Sequence, residues 1–208
     1  MGRINEYNRQ QSEKRKRKPV IYIVCEGRET ETRYFKSFRT RFCPIDIIPI
    51  TSIYKSADSL VRKVKSTLGK NPYYPDEGDV VWCVFDCDDN TNEMLTKAMQ
   101  LAKKHGFKIA FSNPCFEYWF LLHFSKYRGY LANCNAVINQ LHRKGRLENY
   151  RKSEDIYSLI IDRQATAIAN AKGRIAEITL ERIPLLSRES NPATNVHELV
   201  EFLNSRRK

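Results

Sequence analysis

Glycine and proline are scarce in this sequence, at 8 residues each in 208, which excludes a fibrous or low-complexity chain. Long apolar runs are missing. None approaches the ~20 residues that cross a bilayer, and the mean hydropathy is −0.57, so a soluble globular protein with no membrane partner is expected. Histidine is rare, at 4, and the 6 cysteines (Cys25, Cys43, Cys83, Cys87, Cys115 and Cys134) form neither a CxxC pair nor the Cys/His spacing of a zinc site. Several lie inside apolar runs, where a thiol behaves as a small buried hydrophobe. The opening Met-Gly-Arg-Ile-Asn-Glu has no apolar signal core. Reduced, structural thiols in a cytoplasmic protein are therefore expected.

Acidic residues are in deficit as well. Against 24 Asp and Glu stand 36 Lys and Arg, a net charge of +12 and a pI near 9.5. Such a surplus favours a polyanionic partner, for a soluble protein usually nucleic acid. The length suits one domain with appendages and is enough to bury a substantial core. Residues 1–18 are polar and end in Lys14-Arg15-Lys16-Arg17-Lys18. With so few apolar groups to offset ordering entropy, they are read as a basic disordered arm.

The pattern then alternates between strand and helix. Val20 to Cys25 is a continuous β-branched and apolar run, as expected of a strand buried on both faces. A helix follows Glu29 or Thr30 and carries Tyr34, Phe35 and Phe38. Residues 45–50 read as a second strand, which Pro49 confines to an edge because proline cannot donate to a ladder. An amphipathic helix spans 57–68, a third buried strand spans 80–85, a helix runs from 92 to 105 with Gly106 as its stop, and a fourth strand covers 107–111. This order predicts an α/β fold with a mostly parallel four-stranded sheet and helices on both faces. An aromatic-rich helix is expected over 115–124, and helical segments over 133–143, 153–161, 163–181 and 195–205. The division is a core over 19–125 and a helical extension over 126–208 that packs on it.

In open α/β sheets, ligands bind beyond the carboxyl ends of the strands. Three strands end there in polar clusters: Glu26-Gly27, Asp86-x-Asp88 and Ser112-Asn113. If the first and third strands are neighbours, Glu26, Asp86 and Asp88 meet on one rim. The period of an extended chain puts Asp86 and Asp88 on the same side. Oxygen donors with few histidines point to Mg²⁺ or Mn²⁺ over zinc. Gly27 leaves room for a sharp turn or for a phosphate. The plainer readings are a helix-capping Asp-x-Asp and a simple turn.

The array Ile21-Tyr22-Ile23-Val24-Cys25-Glu26-Gly27-x-x-Thr30-Glu31-x-x-Tyr34-Phe35, followed by Val84-Phe85-Asp86-x-Asp88, resembles a Toprim domain. That is the metal-binding module of topoisomerases, primases and a class of nucleases. Ser112-Asn113-Pro114-x-Phe116-Glu117-x-Trp119-x-Leu121-Leu122-His123-Phe124 and Asn191-Pro192-x-Thr194-x-Val196 narrow the resemblance to the RloB-like family, over nearly all of the globular part. The resemblance implies a Toprim-like fold with Glu26 as general acid/base or metal ligand, Asp86 and Asp88 as metal ligands, and Glu31 as the nearest match to a second-metal glutamate, one residue further along than the pattern asks. It also implies a place in phage defence beside an ATPase partner protein.

Two classes of function follow. One is a divalent-metal-dependent nuclease that hydrolyses phosphodiester bonds in DNA or RNA as an antiviral effector. The other is a non-catalytic module of the same shell that binds nucleic acid or bridges partners. Oligomeric state is left open, including self-association. Glu117 reads either as a further metal ligand or as an acid at a helix N-terminus. Ser112 and Asn113 read as helix caps or phosphate ligands, His123 as a hydrogen-bonded core residue, and Asn191-Pro192-x-Thr194 as the cap of the final helix. Candidate nucleic-acid contacts are Arg28 in the Glu-Gly loop, Lys55 after the second strand, and the cluster Arg143, Lys144, Arg146, Arg151 and Lys152 around Gly145; Arg188 lies close to the Asn-Pro element.

Overall fold

Strand β1 (Ile21–Cys25) has every residue buried, and β3 (Val80–Asp86) is buried throughout its centre. Both therefore occupy the middle of the sheet. The structure, a computed structural model, describes residues 17–27, 29–40, 43–49, 56–68 and 73–207. Its sheet has the order β2-β1-β3-β4-β5, with β2 (Ile45–Pro49) and β4 (Lys108–Asn113) flanking the central pair. β1 to β4 are parallel, with Cys25 level with Val84 and Asp86 level with Ser112. The expected edge position of β2 is observed.

Period-two alternation sorts the side chains onto two faces. Tyr22, Val24, Val81, Cys83, Phe85 and Phe111 pack against α2 (Ala57–Leu68) and α3 (Asn92–His105) through Leu60, Val61, Val64, Leu95, Ala98 and Ala102. Ile21, Ile23, Cys25, Trp82, Val84 and Ala110 face the other way. They meet α1 (Thr30–Lys36), α4 (Glu117–Leu122), α7 (Gln164–Leu180) and α8 (Val196–Arg206). The second core is strongly aromatic. The Tyr34 ring lies 5.3–5.7 Å from those of Phe35, Phe38, Phe116, Phe120 and Tyr157, and its hydroxyl accepts a hydrogen bond from Trp119 Nε1 at 2.9 Å. Burying one such ring or branched side chain contributes about 1.5–3 kcal/mol. Thr91 Oγ1 caps α3 by accepting from the Met94 N–H at 3.3 Å, and Gly106 ends it at φ 68°. A side chain there would be strained, which is why glycine closes the helix.

Several expectations need correction. The sheet has five strands, because Ala193–Thr194 forms β5, antiparallel to the end of β4. The Asn-Pro element thus extends the sheet; it also meets the start of α8, where Thr194 Oγ1 accepts from the Val196 N–H at 3.2 Å, while the Asn195 side chain makes no cap bond. The aromatic helix α4 is shorter than predicted, and neither Ser112 nor Asn113 caps it. Ser112 Oγ pairs with Thr194 Oγ1 at 3.0 Å, and Asn113 Nδ2 donates to the carbonyls of Ser187 and Arg188 at 2.9 and 3.2 Å. Between α4 and α7 lie α5 (Cys134–Leu141) and α6 (Tyr157–Ile160). Arg17, within the segment assigned to the arm, donates to the buried Asp79, which also accepts from Val20 N at 2.7 Å and Tyr74 N at 2.8 Å. Residues 1–16 lie outside the described part of the chain.

Candidate functional site

The chain leaves β1 to form β2 on one side and returns to form β3 on the other. The connections that follow β1 and β3 therefore diverge, and a crevice opens at the carboxyl ends of these two strands, where α/β sheets bind ligands. Glu26 follows β1 directly and Asp86 closes β3. The Glu26 N–H donates to Val84 O at 3.0 Å, which continues the ladder, and the Asp86 N–H reaches back to Glu26 Oε2 at 3.4 Å. The two are neighbours, as the sequence pattern requires if they share an ion.

Around them lies a pocket of about 310 Å³ lined by Glu26, Gly27, Glu29, Thr30, Glu31, Asp86, Asp88, Glu117 and Lys152. All five carboxylates singled out in the sequence face this space. No three of them bring oxygens within 4.8 Å of one another among the described residues, so they form a loose ring. Asp88 sits at the mouth at φ 31°. Its turn is held by Cys87 N donating to Ser112 O at 2.8 Å and by Arg188 Nη1 donating to the carbonyls of Asp88 and Asn90, both at 3.0 Å. Arg188 thus reaches the rim, as a brace on the backbone.

Gly27 has a different purpose from the one its position suggested. A Cβ there would lie 2.2 Å from Glu31 Oε2. The Glu31 carboxylate rests against the glycine backbone and accepts from the N–H groups of Gly27 and Glu31 itself. With a glycine here the Glu31 carboxylate can rest against the backbone; any larger residue would push it aside.

Burial dominates the electrostatics. It pushes the Glu26 carboxyl up to about 7, with the Asp86 N–H working against the shift and Asp88 and Glu31 adding to it. Asp86 is pushed well above the ordinary carboxylate range by burial, then by Glu31, Glu117, Asp88 and Glu26. Its Oδ1 is buried with no hydrogen-bond partner. Glu31 and Asp88 are raised as well, chiefly by loss of solvent. Such a ring is costly to ionise without a compensating cation. Its donors are hard oxygens, which suit Mg²⁺ or Mn²⁺.

Glu117 differs from its neighbours. Burial opposes its ionisation, but Lys152 and the thiols of Cys115 and Cys134 outweigh that and hold its carboxyl below the usual value. Lys152 Nζ lies 3.5 Å from Oε1, which also accepts from Tyr150 Oη at 3.1 Å, and Cys134 Sγ donates to Oε2 at 3.2 Å. Lys152 is the one cationic side chain among the described residues lining the pocket. Burial works against its charge too, and Glu117 more than reverses this.

A family model for RloB-like proteins matches residues 21–203. The chain belongs to the RloB-like family. No match was found among curated proteins or among solved structures.

The basic candidates in this RloB-like chain fare unevenly. Arg28 and Lys55 lie outside the described residues. Arg143, Lys144 and Arg146 do not line the pocket; Arg146 Nη1 is tied to Gln140 O at 2.9 Å and faces a separate cavity with Phe124 and Leu147. Lys152, from the same segment, is the residue that arrives. The basic cluster drew attention to it, but no sequence signal places one member at the pocket and leaves the others outside. His123 is a core histidine, as expected: Nδ1 lies 2.9 Å from Trp119 O, and burial lowers its imidazole to about 4. Among the described residues no helix is long and apolar enough to cross a membrane.

Proposed function

We propose that this chain is a divalent-cation-dependent nuclease with a Toprim-like sheet, hydrolysing phosphodiester bonds in nucleic acid as a defence effector controlled by an ATPase partner. The observation that carries this reading is the buried, unpartnered Oδ1 of Asp86 inside a ring of carboxylates at the sheet's switch point. A fold gains nothing from assembling such a ring, whereas phosphoryl transfer needs one. The chain's net charge of +12 favours a polyphosphate substrate.

Asp86 and Asp88 would hold Mg²⁺ or Mn²⁺ together with Glu26 or Glu31, and the ion would supply positive charge beside the transferring phosphoryl group. The chain's own groups supply the rest. Glu26 Oε2 is engaged by the Asp86 N–H, which leaves Oε1 to take the proton of the attacking water. A proton affinity near neutrality suits that task. The water oxygen bonds to phosphorus as the phosphorus bond to the leaving oxygen breaks. Lys152 Nζ, half-exposed at the pocket wall, grips a non-bridging oxygen of the substrate. Arg188 fixes the backbone that aims Asp88.

The test is incubation of the purified protein with Mn²⁺ and, separately, pools of DNA and tRNA, comparing parent and Glu26→Gln. Cleavage of either pool by the parent and loss of it in the variant is expected. Equal rates for the two proteins, or binding without cleavage under every divalent cation, would remove the nuclease reading and leave the binding module.

A further inference from the structure

Behind the carboxylate ring lies a second cluster of different chemistry. Cys115 precedes α4 by two residues, Glu117 is the first residue of α4, and Cys134 is the first residue of α5. One ligand atom from each comes within 4.8 Å of the other two, and no other set of three or more ligating side chains among the described residues does so. Cys134 Sγ donates to Glu117 Oε2 at 3.2 Å, and the Cys115 thiol lies beside both groups. Glu117 and Cys115 are each 2 % exposed, while Cys134 is only half-buried and gives the cluster an approach from solvent.

The supports are rigid. Asn133 Oδ1 accepts from the Ala136 N–H at 3.0 Å, which fixes the first turn of α5 and with it Cys134. Glu117 Oε1 is engaged on its far side by Tyr150 and Lys152, so Oε2 is turned toward the two sulfurs. Partners that orient a ligating carboxylate in this way are typical of metal sites. Thiols are weak donors, and two of them converging on a buried carboxylate make poor use of it as a hydrogen-bond acceptor. Two sulfurs and one oxygen at such spacing do fit the shell of a tetrahedral ion with borderline-soft preferences.

We propose that Cys115, Glu117 and Cys134 form a second metal site, which shares Glu117 with the carboxylate ring and binds Zn²⁺ through two thiolates and Glu117 Oε2. Binding releases two protons, one from each thiol, and leaves the fourth tetrahedral position to a solvent oxygen. Two thiolates exclude Mg²⁺ and Mn²⁺ as preferred occupants. The site joins α4 to α5, and because it uses Glu117 Oε2 it would fix the carboxylate whose Oε1 carries Lys152. Its existence does not depend on whether the ring cleaves nucleic acid.

The test uses the full chain, purified under reducing conditions from cells supplied with zinc and from cells supplied with cobalt. About one zinc per chain is expected in the parent and in Asp86→Ala, falling to about a tenth or less in Cys134→Ser. Cobalt-loaded parent should show sulfur-to-cobalt charge-transfer absorption and intense tetrahedral bands, both absent from Cys134→Ser. Cys134, the less buried thiol, carries the mutational test, and the cobalt spectrum of the unsubstituted chain decides without any variant. A parent that takes up no zinc, or whose cobalt spectrum shows oxygen ligands alone, overturns the proposal. So does zinc that is lost in Asp86→Ala and retained in Cys134→Ser, since that assigns the metal to the ring.

Discussion

Two polar clusters sit side by side at the carboxyl end of the sheet, and they are built on opposite principles. In the clasp formed by Ser112, Asn113, Asn191, Thr194 and Asn195, every group is matched. Asn191 Nδ2 donates to Asn113 Oδ1 at 3.0 Å and to Leu131 O at 2.8 Å, while its Oδ1 accepts from the Leu131 N–H at 2.9 Å. Asn195 Oδ1 accepts from the Phe111 N–H at 2.7 Å, and its Nδ2 donates to Ile109 O at 3.0 Å. In the carboxylate ring, where Asp86 lies level with Ser112, acids face acids and Asp86 Oδ1 has no partner. Satisfied polar groups hold a fold together; unsatisfied, mutually repelling ones need something from outside. Motifs of equal prominence in the sequence thus separate into one whose polar groups are matched, Asn-Pro-x-Thr, and one whose acids crowd together, Glu-Gly with Asp-x-Asp.

The sharpest way to break this contrast is Asp86→Asn. Cation-dependent cleavage should fall by about 100-fold or more, measured as initial rate in Mn²⁺. Chelator-treated protein should melt no lower than the parent, because a repelled charge is removed. A lower melting temperature would mean that Asp86 belongs with the clasp. Next in size is the pH response of the buried His123 beside Trp119. His123 has a folded-state value of about 4, below its ordinary 6.5. The unfolded chain therefore binds the proton more tightly, so the contribution is whole above pH 6.5 and is lost as pH falls toward 4, about 3 kcal/mol in all. Denaturant titrations across that window should show the parent losing about 3 kcal/mol relative to His123→Phe as pH falls; parallel curves would disprove the assignment.

Asn113→Ala tests the clasp itself. It removes one of two partners from the carbonyl of Ser187, which keeps Ser190 Oγ, and from the Nδ2 of Asn191, which keeps Leu131 O, and a loss of about 1 kcal/mol in urea unfolding is expected. The smallest effect should come from Arg188→Gln, which joins the clusters. Removing its bonds to the Asp88 and Asn90 carbonyls should cost less than about 1 kcal/mol, because the side chain is exposed. It should also raise the Mn²⁺ concentration needed for half-maximal activity. An unchanged metal requirement would show that Arg188 stabilises the turn without aiming Asp88.

The fold was legible wherever a segment carried its own period. The runs 20–25 and 80–85 could only be buried parallel strands, Pro49 marked an edge, and 57–68 and 92–105 are the helices observed. β5 was not legible, since two residues have no periodicity and the ladder they join lies about eighty residues earlier. Glu26, Asp86 and Asp88 could be named because each follows a strand, and strands of one parallel sheet end on one rim. Lys152 could be named only as one member of a basic cluster, and Tyr150 and the place of Cys134 could not be named, because they belong to loops and a short helix whose return to the rim is set by packing alone.

What the sequence determined by itself was therefore local and repetitive: burial of the strands, the amphipathic helix faces, the surplus of positive charge, and acids at strand ends. Tertiary structure alone decided that Gly27 makes room for Glu31, that Lys152 is the cation at the pocket, and that Cys115 and Cys134 share Glu117 despite spacing unlike a metal motif. Periodicity is a property of neighbours along the chain, whereas contacts between distant segments depend on how the packed helices bring their loops back. That path is fixed by the whole core and written in no single stretch of residues.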